Sequence, residues 1–300
     1  MKADICGVLA AMCLILGGCA AQGNTDGQNT EQIITADGSE NVMLVDSWEP
    51  DNNRIYDAGI IDVELLRNFD YSLWNQELGQ TILMCPYDEV HLLSEGYGEL
   101  EQAIDVLNAE NNSHMGVLYE ELRERMEERI VNGDKFSAYK MLPFGFYRKI
   151  CVLRSDKAVF SLIIEDTEWL GGFHPNYYSY GVSFDPLTGQ RLRLADVVTD
   201  YDRIYELVLE QLASEEYIDE DGCCVLAEGY EEIVKQEFYP QEPGGEQIKW
   251  WLDTEGLTVS FDTYELASYA EGNQVLNFSY EKYGDLVKPE YIYDSENGSR

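Results

Sequence analysis

Three histidines are the scarcest residues in this chain that could do chemistry, and their positions limit what can be built from them. His91, His114 and His174 stand far apart. No two share the H-x-x-x-H or H-x-H spacing that brings two imidazoles to one metal. His174 sits in Gly171-Gly172-Phe173-His174-Pro175-Asn176, where Pro175 fixes its own φ and biases His174 toward extended backbone. A histidine so placed either contacts a ligand or caps backbone groups in its turn. Tyr177 and Tyr178 follow directly, and strand alternation sends one ring inward and the other outward. His174, Tyr177 and Tyr178 are therefore the candidate ligand-binding residues, with one of the two tyrosines facing the ligand at most.

Other chemistries find little support. No G-x-S-x-G nucleophile elbow and no G-x-x-x-x-G-K-[ST] phosphate loop occurs. The 57 acidic residues put carboxylate pairs at every spacing, so no glycosidase-like acid pair stands out. No catalytic residue, metal ligand or cofactor is assigned, and the expectation is a non-enzymatic protein.

Cysteine chemistry is tied to export. Lys2 gives a minimal positive start, weakened by Asp4, and Ile5 to Leu16 is an apolar run. That run has the length of a signal-peptide core and falls short of the roughly 20 residues that span a bilayer. Leu16-Gly17-Gly18-Cys19 resembles a bacterial lipobox. It predicts a lipoprotein signal over residues 1–18, cleavage before Cys19, a lipid on its sulfur, and anchorage to the outer face of the cell membrane. The plainer alternative is a secretory signal followed by an incidental cysteine. Residues 19–45 are rich in Gly, Asn, Thr and Gln and predict a flexible tether. Cys85, Cys151, Cys223 and Cys224 remain in the exported part. Adjacent Cys223 and Cys224 are poorly placed to bridge each other, and buried thiols stand against one Cys85–Cys151 disulfide.

Charge narrows the partners. Lys and Arg number 20 and Asp and Glu 57, so 20 − 57 gives −37. Such a surface repels nucleic acid and anionic headgroups, and it attracts basic proteins in a salt-dependent way. Solubility at an acidic cell surface explains the same charge. The acids are dispersed, and 45% hydrophobic residues provide a core.

The positioning elements follow from periodicity. Met43 to Phe69 shows no clean period and reads as irregular structure or a short strand. Thr81 to Leu93 reads as a strand with Pro86 in its middle, which argues for an edge or a bulge. Glu99 to Ile130 is helical, and Asn111-Asn112-Ser113 either breaks it or faces water. Phe146 to Arg154 and Ala158 to Asp166 are strands. Trp169 to Val198 reads as a hairpin: Tyr178, Tyr180, Val182 and Phe184 at period two, an Asp185-to-Gly189 turn, then Leu192 and Leu194 resuming the alternation. Helices are expected over Tyr201–Glu215, with Thr199 or Asp200 as cap, and over Val225–Phe238. Strands are expected at Ile248–Leu252, Leu257–Phe261 and Gln274–Ser279, and a short closing helix over Tyr280–Val287. The class is α+β, antiparallel sheets with helices packed on one face.

Two segments carry a resemblance. The first is the Gly-Gly-x-His-x-Asn turn, its aromatic strand, the Asp-x-x-Thr-Gly turn and the Leu192-to-Val197 run. The second is Gly256 to Phe261 followed by Tyr264-Glu265-Leu266-Ala267, Tyr269-Ala270 and Gly272. Together they resemble the extracellular domain of the RsiV-type anti-sigma factors, which also precedes the catalytic part of PdaC-type peptidoglycan deacetylases. The match runs from Ile82 to Val287. It implies two intertwined α/β segments, here 46–190 and 191–300, and a lysozyme-like basic protein or peptidoglycan as partner. The deacetylase region needs Asp and His metal ligands in a separate domain, and the expectation is the sensor domain alone on a lipid anchor. A cell-wall-modifying enzyme or its accessory is the alternative that the same resemblance implies.

Overall fold

The computed structural model describes residues 53–56, 60–77, 79–132, 143–170, 174–218, 223–241 and 247–293. The leader, Cys19 and the tether lie outside the described residues, as do Gly171 and Gly172. The fold is α+β, with eleven strands in two sheets among the described residues.

The larger sheet holds eight strands: β1 (Asn53–Tyr56), β2 (Val63–Asn68), β3 (Ser72–Asn75), β4 (Gln80–Met84), β5 (Tyr87–Leu92), β6 (Phe144–Ser155), β7 (Phe160–Trp169) and β8 (Asn176–Phe184). β6 is its axis. β7 pairs antiparallel along one edge of β6, and β8 continues from β7. The other edge takes β4 and β5 in one constant register, Leu83 opposite Phe144 and Tyr87 opposite Arg148. The predicted Thr81–Leu93 strand is thus one register run interrupted at Cys85-Pro86. Proline has no N–H to give the ladder, and its carbonyl accepts the Arg148 amide at 3.0 Å. Beyond the break the halves find separate neighbours, β4 with β3 and β5 with β2. Both halves run parallel to β6, so the sheet departs from the antiparallel expectation at this seam alone. Met43–Phe69, read as irregular or one short strand, supplies the β1–β2 pair at the sheet margin.

Helix α1 (Gly98–Val131) lies on one face of this sheet. Its buried stripe, Leu100, Ile104, Leu107, Asn111, Met115, Leu122 and Met126, recurs at helical spacing. Leu100, Ile104 and Leu107 meet Val63, Ile150, Leu162 and Ile164. Met115, Leu122 and Met126 meet Ile82, Leu83, Phe144 and Phe146. Each such large apolar side chain contributes roughly 1.5–3 kcal/mol when fully buried. Asn111 does not break the helix. It occupies the stripe and accepts a hydrogen bond from Arg148 Nη1 at 3.1 Å, while Asn112 accepts one from the Tyr71 hydroxyl at 2.6 Å.

The smaller sheet, in the order β11-β10-β9, comprises β9 (Lys249–Leu252), β10 (Gly256–Phe261) and β11 (Gln274–Ser279). Trp250, Leu252, Leu257, Val259 and Phe261 pack against α3 (Tyr201–Leu212) and α4 (Tyr230–Phe238). Its other face meets the large sheet, where Trp251 packs with Cys151 and Ile163. Gly181 of β8 shows how close the two sheets come: a Cβ there would lie 2.0 Å from the Trp250 carbonyl oxygen. Each sheet therefore carries helices on one face and the other sheet on its opposite face.

Three local expectations change. After the Asp185–Gly189 turn the chain forms a single bridge, Phe184 to Arg191, and then the short helix α2 (Leu194–Val197). Leu192 and Leu194 are drawn into the core beneath α3, so the second hairpin strand does not form. Helix α4 begins at Tyr230 rather than Val225, because Leu226 bridges Ala267 and Gly229 enters the left-handed region at φ 82°. No disulfide joins Cys85 and Cys151. Cys85 packs in the cluster under α1 and Cys151 in the cluster between the sheets. Asp200, of the two proposed caps, accepts the Arg203 amide at 3.0 Å. The chain closes with α5 (Tyr280–Tyr283) and short 3-10 turns.

Candidate functional site

The two segments singled out in the sequence meet. His174 stacks on Tyr269 with ring centroids 3.6 Å apart and planes 18° from parallel. The Tyr269 hydroxyl donates to the Pro175 carbonyl at 3.1 Å, and the Thr263 hydroxyl lies 3.5 Å from the Tyr177 carbonyl. Tyr264 lies beside this stack, its ring 5.8 Å from that of Tyr269. Together His174, Tyr264 and Tyr269 form an aromatic cluster in which the His174 and Tyr264 rings are exposed.

Tyr264 is the unusual member. Its φ is 70°, the only positive value at a non-glycine among the described residues, and its ring is 60% exposed. The left-handed region costs a bulky residue roughly 1–3 kcal/mol, and it persists only where the surroundings hold it. Here they do. Asp262 receives the Glu265 amide on its carbonyl at 3.1 Å, and its own amide donates to the Glu265 carboxylate at 2.7 Å. The Thr263 amide donates to Asn273 Oδ1 at 2.9 Å. Lys249 of β9 donates to the Asp262 carboxylate at 2.7 Å and to that of Glu265. The second Asp262 oxygen accepts the Ser179 amide of β8 at 2.9 Å, which ties the turn to the hairpin strand.

The electrostatics of this support are acidic. Burial lowers the Lys249 ammonium pKa, and the two bonded carboxylates more than reverse that, leaving it raised. Glu237 of α4 has its pKa raised, first by burial and then by the Glu265 charge. The cluster holds three carboxylates to one ammonium.

The sequence-predicted residues divide. His174 and Tyr177 lie at the aromatic cluster, Tyr177 half-buried with its phenol pKa raised by burial. Tyr178 is 41% exposed and points from the other face of β8, where Glu168 and Asp262 act on it after burial. His174 neither caps backbone closely nor stands free, its Nδ1 being 3.4 Å from the Pro175 carbonyl. Tyr264 and Tyr269 belong to the second segment of the resemblance, and the sequence does not mark them as a site. The usable signal was that both motif segments are aromatic and turn-rich.

The other histidines are elsewhere. His91 on β5 lies 3.7 Å from Glu89. His114 on α1 stands edge-on to Phe146, its pKa lowered by burial and then by Arg148. Among the described residues no group of three or more His, Cys, Asp and Glu side chains is placed to hold a metal ion.

No protein-family model and no curated protein matches the chain. The fold has solved neighbours. A crystal structure of a DUF3298 family member from Bacteroides fragilis aligns with a TM-score of 0.52 at 15% identity, covering 78% of this chain and 96% of that one. A DUF3298 family protein from Pseudomonas aeruginosa aligns with a TM-score of 0.49 at 14% identity, covering 79% and 99% respectively. At such identity the first likeness describes the fold.

Proposed function

We propose that this chain is a non-catalytic binding domain, held by a lipid on Cys19 at the outer face of the cell membrane, and that it receives a basic, lysozyme-like protein at the aromatic cluster. The observation that carries the reading is the convergence of the two motif segments on exposed rings, one of them, Tyr264, held at φ 70°. Strain at an exposed aromatic is retained where it serves recognition, and rigid aromatics are favoured as binding anchors. Charge supports a basic partner: the net charge of −37 steers cations toward the surface. The fold agrees with the sequence resemblance, since DUF3298 is the domain found in RsiV-type proteins and in the N-terminal regions of PdaC-type deacetylases.

The test is binding of the chain from Asp46 onward to hen lysozyme and to purified peptidoglycan, each across a salt series. Lysozyme binding that survives moderate salt and is lost in His174→Ala and Tyr264→Ala supports a shaped site. Association that vanishes with modest salt and ignores both substitutions assigns it to charge alone, and the proposal fails. Peptidoglycan binding without lysozyme binding moves the partner to the cell wall.

A further inference from the structure

The aromatic cluster is assembled from two pieces of chain, and a lysine holds the turn that carries one of its rings. Lys249 sits on β9, with 21% of its side chain exposed, beneath the Asp262–Glu265 turn. Its ammonium spans two carboxylates with different tasks. Asp262 faces β8 through the Ser179 amide, so it fixes the turn to the strand that carries Tyr177 and Tyr178 and that His174 shortly precedes. Glu265 folds back on the Asp262 amide, so it closes the turn that carries Tyr264. Without the ammonium, the two carboxylates would face each other, and Glu237 on α4, at close range and low hydration. Their repulsion acts on the residues that bracket the strained φ.

We propose that Lys249 is the positioning residue of the aromatic cluster: it latches the Tyr264 turn onto β8 and so sets the spacing between His174 and the Tyr264–Tyr269 pair. The inference rests on the cluster being the binding site only for its effect on binding. Its structural half stands on the contacts alone. The groups that face the ammonium are Asp262 and Glu265 from the turn, Glu237 from α4 and the Tyr178 phenol from β8. Only the first two bond to it, and these are the two that shape the turn.

The experiment uses the full chain as Lys249→Met and Lys249→Arg. Three quantities are read: the His174 ring resonance, which the stacked Tyr269 shifts, hydrogen exchange at the Ser179 amide, and affinity for hen lysozyme. In Lys249→Met the His174 signal is expected to move to the position of an unstacked histidine. The Ser179 amide should exchange about tenfold faster or more, the loss of one charge-assisted hydrogen bond, and lysozyme affinity should fall by a similar factor. Lys249→Arg should restore all three, because a guanidinium reaches both carboxylates. If Lys249→Met fails to fold, Glu265→Ala removes the more exposed limb of the latch and is expected to move the His174 signal in the same direction. Unchanged His174 and Ser179 signals in a folded Lys249→Met chain overturn the latch. Should the parent chain bind no lysozyme, the functional reading falls while these two signals still decide the latch.

Discussion

Two charge clusters in this molecule are built alike and do different work. Under α1, Arg148 makes a bidentate pair with Asp166, at 2.8 and 2.5 Å, and reaches Asn111 at 3.1 Å. At the Tyr264 turn, Lys249 joins Asp262 and Glu265. Each cluster has one cation bonded to two side chains outside its own strand, from two elements at Arg148 and from one turn at Lys249. The first is closed in: Arg148 is 5% exposed and Asp166 6%. It lies between helix and sheet, with the guanidinium near the Phe146 and Tyr180 rings, and presents nothing to a partner. The second is half-open, and what it holds is a turn carrying an exposed ring. An enclosed ion pair sets how elements dock, whereas one at a margin sets the shape of a surface.

The largest expected effect is on the enclosed cluster. Arg148→Met leaves Asp166 buried without its cation, which costs about 3–5 kcal/mol. Urea unfolding should show that loss, and Asp166→Leu added to Arg148→Met should recover part of it. Recovery tells against any surface role for the pair, and a binding defect in the double variant would break the comparison.

Gly181→Ala tests the joint between the two sheets. Its Cβ would stand 2.0 Å from the Trp250 carbonyl oxygen, and overpacking of this kind costs about 1–3 kcal/mol. A lowered urea midpoint is expected. An unchanged midpoint would mean that the sheets part easily, and that β9 does not hold the Tyr264 turn against β8.

Tyr264→Gly separates surface shape from stability. Glycine removes the left-handed strain and adds freedom to the unfolded chain, two effects of about 1 kcal/mol that oppose each other. Stability should stay within about 1 kcal/mol of the parent, while lysozyme affinity is lost. A variant that is much less stable yet binds normally would assign Tyr264 to packing.

The smallest effect concerns pH. The Glu237 pKa is raised in the folded chain, first by burial and next by Glu265. The folded state therefore holds this proton more tightly than the unfolded state does. Stability attributable to Glu237 is greatest below its unfolded pKa and declines as pH rises through that value to the folded one. Glu237→Gln should raise the urea midpoint slightly at neutral pH, with the gain disappearing in acid. A gain of equal size at all pH values would mean that charge at the Lys249 cluster is not its source.

Most elements were legible because local pattern and tertiary packing agreed on them. The stripe from Leu100 to Met126 indicated a helix, and the period-two run through Tyr178, Tyr180, Val182 and Phe184 indicated a strand. Those periods follow from backbone geometry, and here the packing keeps them. Asn111 was ambiguous because a polar residue on an apolar stripe looks like a break until its partner is known, and the partner, Arg148, is 37 residues away. The lost strand at Leu192–Leu194 has the same origin: alternation says that both side chains are buried, but not in which layer.

The candidate site was half legible. His174 and Tyr177 could be named from their turn and strand, and Tyr264 and Tyr269 could be placed in a turn. The sequence by itself determined the α+β class, the acidic surface and the two turn-rich aromatic segments, because these depend on composition and short-range spacing. Tertiary structure alone decided that the segments meet in one aromatic cluster, that Tyr264 adopts φ 70°, and that Lys249 bridges the turn. Each of those rests on contacts between residues distant in the chain, and the hydrogen bonds that hold a strained turn exist only once β8, β9 and the turn have been brought together.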